Sequence, residues 1–311
     1  MNKIGGILRT CLVILMVAGC APHSDTRVPV ATSNGVVYEN IYVTAKDGRE
    51  VDVRVFFKAS GCQDCRLILF SHGANATYDR YDVLLKAWAL EGYVVVAPLH
   101  VDSEIHPERA KFGREEHLPT RVEDFAVVLQ YLKADGLAEI EAVSLTGEYV
   151  AAGHSFGALI AQIFGGAVAG GQSMGSPQRP MSVIAISPPG PVPGLIPEPA
   201  WSTIEVPMLV VTGTSDIVPF VAPEWEDHLK SFQGAPEGLS GALIFDGINH
   251  YFNGAFGRID DQSATTGPVE LLNAAISAFI DQSRRGVPIK EMRLLSGDLV
   301  GVSFVSEAGH D

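Results

Sequence analysis

Two hydrophobic rhythms alternate along most of the chain. "VVYENIYVTA" and "VDVRVFFKA" read as strands, and "KDG", Lys46 to Gly48, as the hairpin turn between them. "RLILFSHG" and "YVVVAPLHV" are unbroken apolar runs of the kind found in parallel strands covered on both faces. The stretch between them, "RYDVLLKAWALEG", has helical spacing, so the three form a β-α-β unit. The alternation continues. "RVEDFAVVLQYLKAD" reads as helix, "YVAAGHS" as strand, "ALIAQIFGGAVAG" as helix and "MSVIAISPP" as strand. "PMLVVTGTSD" and "GALIFDG" add two strands, with "PEWEDHLKSF" as a helix between them and "PVELLNAAISAFIDQSRR" as a closing helix. The pattern predicts an α/β fold: a mostly parallel central sheet with helices on both faces and an antiparallel N-terminal hairpin. The Pro-rich connection from Pro188 to Pro199 is too short for a helical cap domain, which predicts an open site. We find no internal repeat and no low-complexity block.

The N-terminus follows another rule. Lys3 and Arg9 flank "CLVILMVAG", too short to span a bilayer comfortably and ending in small residues, so residues 1–19 read as a signal peptide. Val17-Ala18-Gly19-Cys20 resembles the bacterial lipoprotein box, which implies cleavage before Cys20 and lipid on its thiol. The simpler alternative is a cleaved secretory signal with a chance cysteine at its end. Both readings export the chain. Lipidation would place it in the bacterial cell envelope, held to a membrane by acyl chains, and Ala21 after the cysteine favours the outer membrane in a Gram-negative cell. Residues 20–35, rich in Pro, Ser and Thr, read as a tether, 36–289 as the folded domain, and 290–311 as a C-terminal extension containing strand-like "DLVGVSFVS".

Charge and cysteines narrow the partners. The chain carries 22 basic and 36 acidic residues among 311, a net charge of -14. That balance argues against nucleic acid, whose phosphates need clustered Lys and Arg, and suits small neutral or apolar ligands. With Cys11 lost in the signal and Cys20 lipidated, Cys62 and Cys65 remain in "SGCQDCRLILF". In an exported chain they read as a structural disulfide. A redox pair or half a zinc site is the alternative, but the motif lies between strands and no second pair completes a metal site.

The candidate chemistry centres on "GHSFG". A strand leads into it and a helix leaves it; the small Gly153 and Gly157 permit a sharp turn that would lift the Ser155 hydroxyl above the sheet edge. A serine hydroxyl needs a base, and such folds supply a carboxylate and then a histidine later in the chain. Asp216 ends "PMLVVTGTSD" and His250 follows the last strand in "GINHYF", so Ser155, Asp216 and His250 are the candidate triad. Asp246 is the rival acid. "FSHGAN", Phe70 to Asn75, ends an early strand. Its Ala74 amide and the Phe156 amide at the helix start are the candidate oxyanion donors, and His72 is read as structural support. "HVDSEIH", His100 to His106, has no companion that would complete a metal site; it is read as a pocket rim held by an ion pair involving Arg121 and Asp124.

From Val36 to Arg284 the chain resembles the α/β-hydrolase family. "LILFSHGANATYDRYDVLLKAWALEGYVVVAP", "GHSFGA", "GTSDIVP" and "INHYF" are similar to the branch holding platelet-activating-factor acetylhydrolases, dienelactone-hydrolase-like proteins and chlorophyllase-like esterases. The resemblance implies Ser155 as nucleophile, Asp216 as acid, His250 as base, the Ala74 and Phe156 amides as oxyanion donors, and no cofactor. Two departures bear on substrate: dienelactone hydrolases use cysteine where this chain has Ser155, and acetylhydrolases commonly have glycine where it has Ala158. The expected activity is hydrolysis of small-molecule carboxylic esters through an acyl-enzyme, with a small acyl group because Phe156, Tyr251 and Phe252 would crowd the site. The alternatives are a non-catalytic surface protein on a hydrolase scaffold, or an acyltransferase or peptidase using the same triad.

Overall fold

The computed structural model of the chain describes residues 30–31, 35–173, 179–257, 266–295 and 301–306. The residues read as signal peptide, Cys20 and most of those read as tether lie outside these residues.

The first strands are β1 (Val30–Ala31), β2 (Val36–Thr44) and β3 (Glu50–Lys58), paired antiparallel in that order. Gly48, with φ +87°, makes the turn between β2 and β3, where its amide donates to Ala45 O at 3.0 Å. Next come β4 (Cys62–Ser71), α1 (Asp82–Leu90), β5 (Tyr93–Pro98), α2 (Arg114–Asp135), β6 (Val143–His154) and α3 (Phe156–Phe164). After a small hairpin of β7 (Val168–Ala169) and β8 (Gln172–Ser173) follow β9 (Ser182–Ile186), β10 (Met208–Ser215), α4 (Lys230–Gly234), β11 (Ser240–Asn249), α5 (Thr266–Arg284) and β12 (Val302–Val305). The main sheet runs β1-β2-β3-β5-β4-β6-β9-β10-β11-β12, and β5 through β11 in that order are all parallel.

The unbroken apolar runs reflect covering on both faces. Leu67 and Leu69 of β4 look toward α2 and α3, packing with Phe125, Val128 and Leu159. Ile68 and Phe70 look the other way, toward Leu84 and Trp88 of α1 and Ile276 and Phe279 of α5. Full burial of such side chains contributes about 1.5–3 kcal/mol each. The parallel register places the carboxyl ends of β4, β6, β9, β10 and β11 along one edge, where open sheets of this kind build their sites.

Two elements differ from expectation, and one strand-like stretch finds its partner. The helix after "GHSFG" stops at Phe164, because Gly165 and Gly166 (φ +118°) end it, and "VAG" turns instead through Gly170 (φ +54°) and Gly171 (φ +72°) into the small hairpin. "PEWEDHLKSF" is not one helix: Trp225–Leu229 form a 3-10 turn that passes into the short α4. The strand-like stretch near the C-terminus pairs antiparallel with β11, Val302 opposite Phe245 and Val305 opposite Ala242, and so extends the sheet rather than trailing from it. Cys62 and Cys65 are joined in a disulfide at the start of β4, where the ladder with β6 shifts register.

Candidate active site

Ser155 is the single residue between β6 and α3. Its backbone sits at φ 54° and ψ -120°, a conformation costing a non-glycine residue about 1–3 kcal/mol unless its surroundings impose it. The surroundings do so. Its amide donates to Ile186 O at 2.9 Å, and its carbonyl accepts from the Ala158 amide at 2.9 Å. A side chain at Gly153 would strike the Gly157 carbonyl, and one at Gly157 the Ser71 carbonyl, so the turn closes tightly against the end of β4. The Ser155 side chain is half-buried at this edge.

The carboxyl ends of β10 and β11 bring Asp216 and His250 together. His250 Nδ1 lies 2.8 Å from Asp216 Oδ1, while Asp216 Oδ2 accepts from Thr212 Oγ1 at 3.0 Å. Burial opposes the charge of Asp216, but hydrogen bonds and charge from His228 and His250 outweigh it and hold the carboxyl well below the usual carboxylate range. Asp246 stands apart: it is exposed and accepts from Thr214 Oγ1 at 2.9 Å. Of the aromatic residues expected to crowd the site, Tyr251 is half-buried with its ring 5.1 Å from that of His250, and Phe156 is half-buried. Phe252 is a core residue instead, 1% exposed and stacked 4.9 Å from Phe256, because its φ of 49° turns it under the loop.

A hydrogen-bonded chain connects this histidine loop to the end of β4. His154 Nε2 lies 2.8 Å from His250 O, its Nδ1 2.8 Å from Tyr81 Oη, and Tyr81 Oη accepts from the Gly73 amide at 3.0 Å. A carbonyl only accepts, so Nε2 carries the proton and Nδ1 accepts from Tyr81. Burial, with the nearby His250, lowers the His154 pKa to about 3, in keeping with a neutral ring. Nothing in the spacing of the sequence marked Tyr81 or gave His154 this task.

The loop from His72 to Asn75 is gripped from below by Arg121, which has no exposure. Its guanidinium donates to His72 O at 2.6 Å and Gly73 O at 3.0 Å, and forms a bidentate pair with Asp102 at 2.7 and 2.8 Å. Asp102 also accepts from the Asn75 amide at 3.1 Å, and His72 Nδ1 donates to Gly73 O at 2.8 Å. In a trans peptide the carbonyl and the next amide point to opposite sides. Holding the Gly73 carbonyl against Arg121 therefore turns the Ala74 amide away from the interior, and Ala74 is exposed. The ion pair expected to secure the loop after β5 is thus Arg121 with Asp102. Asp124 instead pairs with Arg49 at 2.9 Å and His100 at 2.9 Å.

Those last contacts complete a second arrangement of the same residue types. Ser71 Oγ lies 2.8 Å from His100 Nε2, and His100 Nδ1 lies 2.9 Å from Asp124 Oδ2. All three are sealed from solvent. Asp216, His228 and His250 are the group whose donor atoms fall within 4.8 Å of one another among the described residues. Asp216 Oδ1 stands 2.8 Å from each ring nitrogen, closer than the roughly 3.3 Å separating two ligands of one tetrahedral zinc ion, so hydrogen bonds and ion contacts occupy that space.

No family model matches the chain. Among curated proteins it is 31% identical over 99 residues to a bifunctional esterase/perhydrolase of Acinetobacter calcoaceticus, a match covering 32% of this chain and 33% of that protein. The match thus spans about a third of the relative's length. Among solved structures, a protein described as a dienelactone hydrolase from Klebsiella pneumoniae superposes with a TM-score of 0.57 at 11% identity, covering 80% of this chain and all of that one. A thermostable esterase from Pseudomonas putida superposes with a TM-score of 0.56 at 14% identity, over 79% of this chain and 83% of that one. Sheet order, crossover pattern and these superpositions together show that the chain has the α/β-hydrolase fold.

Proposed function

We propose that the protein is a serine hydrolase of small carboxylic esters, exported and anchored to a bacterial membrane through lipid on Cys20. The observation that carries the catalytic reading is Ser155, held at a positive φ on the sheet's carboxyl edge, where His250 is hydrogen-bonded to a buried, ionised Asp216. The esterase matches described above support the same class. In this mechanism the Ser155 hydroxyl attacks the ester carbonyl and passes its proton to His250 Nε2, while Asp216 holds Nδ1–H and stabilises the imidazolium. The Ala74 and Phe156 amides receive the developing oxyanion, the first aimed by the Arg121 grip and the second freed at the start of α3. Collapse of the intermediate breaks the ester C–O bond, and His250 returns the proton to the departing alkoxide. Water then repeats the sequence on the acyl-enzyme and releases the acid.

Hydrolysis of p-nitrophenyl esters of increasing acyl length, by protein beginning after Cys20, tests this reading. Turnover highest for short acyl chains and lost in Ser155→Ala and His250→Ala is the expected result. A folded parent inert toward every ester contradicts it. Radiolabelled palmitate incorporated into the full chain in cells, and lost in Cys20→Ser, tests the anchor.

A further inference from the structure

We propose that His228 is a permanently protonated fourth member of the site, an imidazolium that shares the Asp216 carboxylate with His250 and sets the pH range over which the base works. The inference rests on the serine-hydrolase reading for its kinetic consequence, but not for the charge itself. His228 lies in the 3-10 turn before α4, and its ring is 1% exposed. Its Nδ1 is 2.6 Å from the Pro188 carbonyl, which only accepts, so Nδ1 carries a proton. Its Nε2 is 2.8 Å from Asp216 Oδ1, an ion-pair distance. Asp216 is already an acceptor on both oxygens, toward His250 Nδ1 and toward the Thr212 hydroxyl, and is therefore ionised. A bare nitrogen lone pair facing that oxygen would be repelled; a second proton on the ring removes the conflict. Burial opposes the charge on His228, but the adjoining Asp216 carboxylate outweighs burial and raises the imidazolium's pKa above the ordinary histidine value.

Asp216 faces His228 from the end of β10, and His250 does so from the end of β11, its ring 5.7 Å away and within 25° of parallel. His154, beyond His250, is neutral by the hydrogen-bond argument above, and the segment after β9 contributes the Pro188 carbonyl. On its own turn, Asp227 is engaged with the Glu224 amide at 3.0 Å. The three histidines therefore divide their tasks. His154 stays neutral and positions the His250 backbone, His228 stays charged, and His250 changes state during turnover. A fixed positive charge about 6 Å away opposes a second positive charge on the neighbouring ring, and so weakens the stabilisation Asp216 gives to the imidazolium formed in the transition state.

Nitrogen NMR of the full exported chain, with ¹⁵N-labelled histidine and assignment by His228→Gln, reads the charge directly. Both ring nitrogens of His228 should give imidazolium signals at pH 7, and those signals should be lost in Asp216→Asn. A neutral tautomer at pH 7 overturns the proposal whether or not the protein hydrolyses esters. Kinetics then read the consequence: in His228→Gln and His228→Phe the acidic limb of kcat/KM should move upward by about 1 to 2 pH units, as removal of a charge at this distance implies. A limb that stays in place while both variants still react with a fluorophosphonate also counts against it. An imidazolium in a protein without esterase activity would leave the charged pair standing and refute the hydrolase reading alone.

Discussion

Ser71–His100–Asp124 and Ser155–His250–Asp216 share residue types and nearly equal His–Asp contacts, 2.9 and 2.8 Å, and their serines stand at the ends of two adjacent strands, β4 and β6. What separates them is backbone and surroundings. Ser71 is the last residue of a strand, with no exposure, and its hydroxyl also lies 3.4 Å from Arg121 Nη1. Ser155 sits at a strained turn where its side chain reaches the edge of the sheet. The acids diverge as well. Burial drives the Asp124 carboxyl up to about 6 despite the Arg49 guanidinium, whereas two histidines hold Asp216 well below the ordinary range. His100 is kept neutral by burial and the nearby Arg121, so it suits a fixed polar strut better than a proton carrier. A Ser-His-Asp set is therefore a structural device when sealed, and becomes chemistry only where a carbonyl can approach the hydroxyl.

The comparison can be broken by deleting each serine. Ser155→Ala should reduce ester turnover about 10⁴-fold or more, because the remaining groups act only as a unit. Ser71→Ala should leave turnover within about threefold while costing about 1–3 kcal/mol of stability in urea, since it strands a buried acceptor on His100. Comparable kinetic losses in the two variants would erase the distinction. The next largest effect belongs to Arg121→Met, which removes the grip on the His72–Asn75 loop. It should cost about 3–5 kcal/mol by leaving Asp102 buried without its partner. It should also lower kcat about 10²–10³-fold through the misplaced Ala74 amide, with KM little changed. A stability loss without the kcat loss would confine Arg121 to the core.

Acid should act on the same grip. Asp102 is held well below its ordinary value by Arg121 against the opposing effect of burial, so its stabilisation is complete above about pH 4, the carboxylate's value in the unfolded chain. It is lost as pH falls from there toward the folded-state value, and the urea midpoint should drop progressively below about pH 4. The smallest effect is expected at the far end of β4. The Cys62–Cys65 disulfide closes so short a loop that reducing it should cost less than about 2 kcal/mol and leave turnover intact.

Much of the frame was legible because both rhythms depend on local spacing. The alternation of "RLILFSHG", "YVVVAPLHV" and the helices around them predicts the parallel sheet, and "GHSFG" predicts a turn between strand and helix. The limits lay where function depends on tertiary approach. His228 hides in "PEWEDHLKSF", whose apolar spacing suggests an ordinary helix, and only the packing of three strand ends brings it to Asp216. Arg121 was visible in "RVEDF", but its partner is Asp102 in a loop and not the nearby Asp124. Phe252 was misread for a related reason: its neighbours in sequence belong to the site, while its backbone turns it into the core.

The central claim, that Ser155 and not Ser71 is the reactive hydroxyl, is tested most directly by covalent labelling. Protein treated with a fluorophosphonate probe and digested for mass spectrometry should carry the adduct on the peptide containing Ser155, with none on that containing Ser71 and none in His250→Ala. An adduct on Ser71, or no adduct on Ser155 in folded protein, would contradict the account.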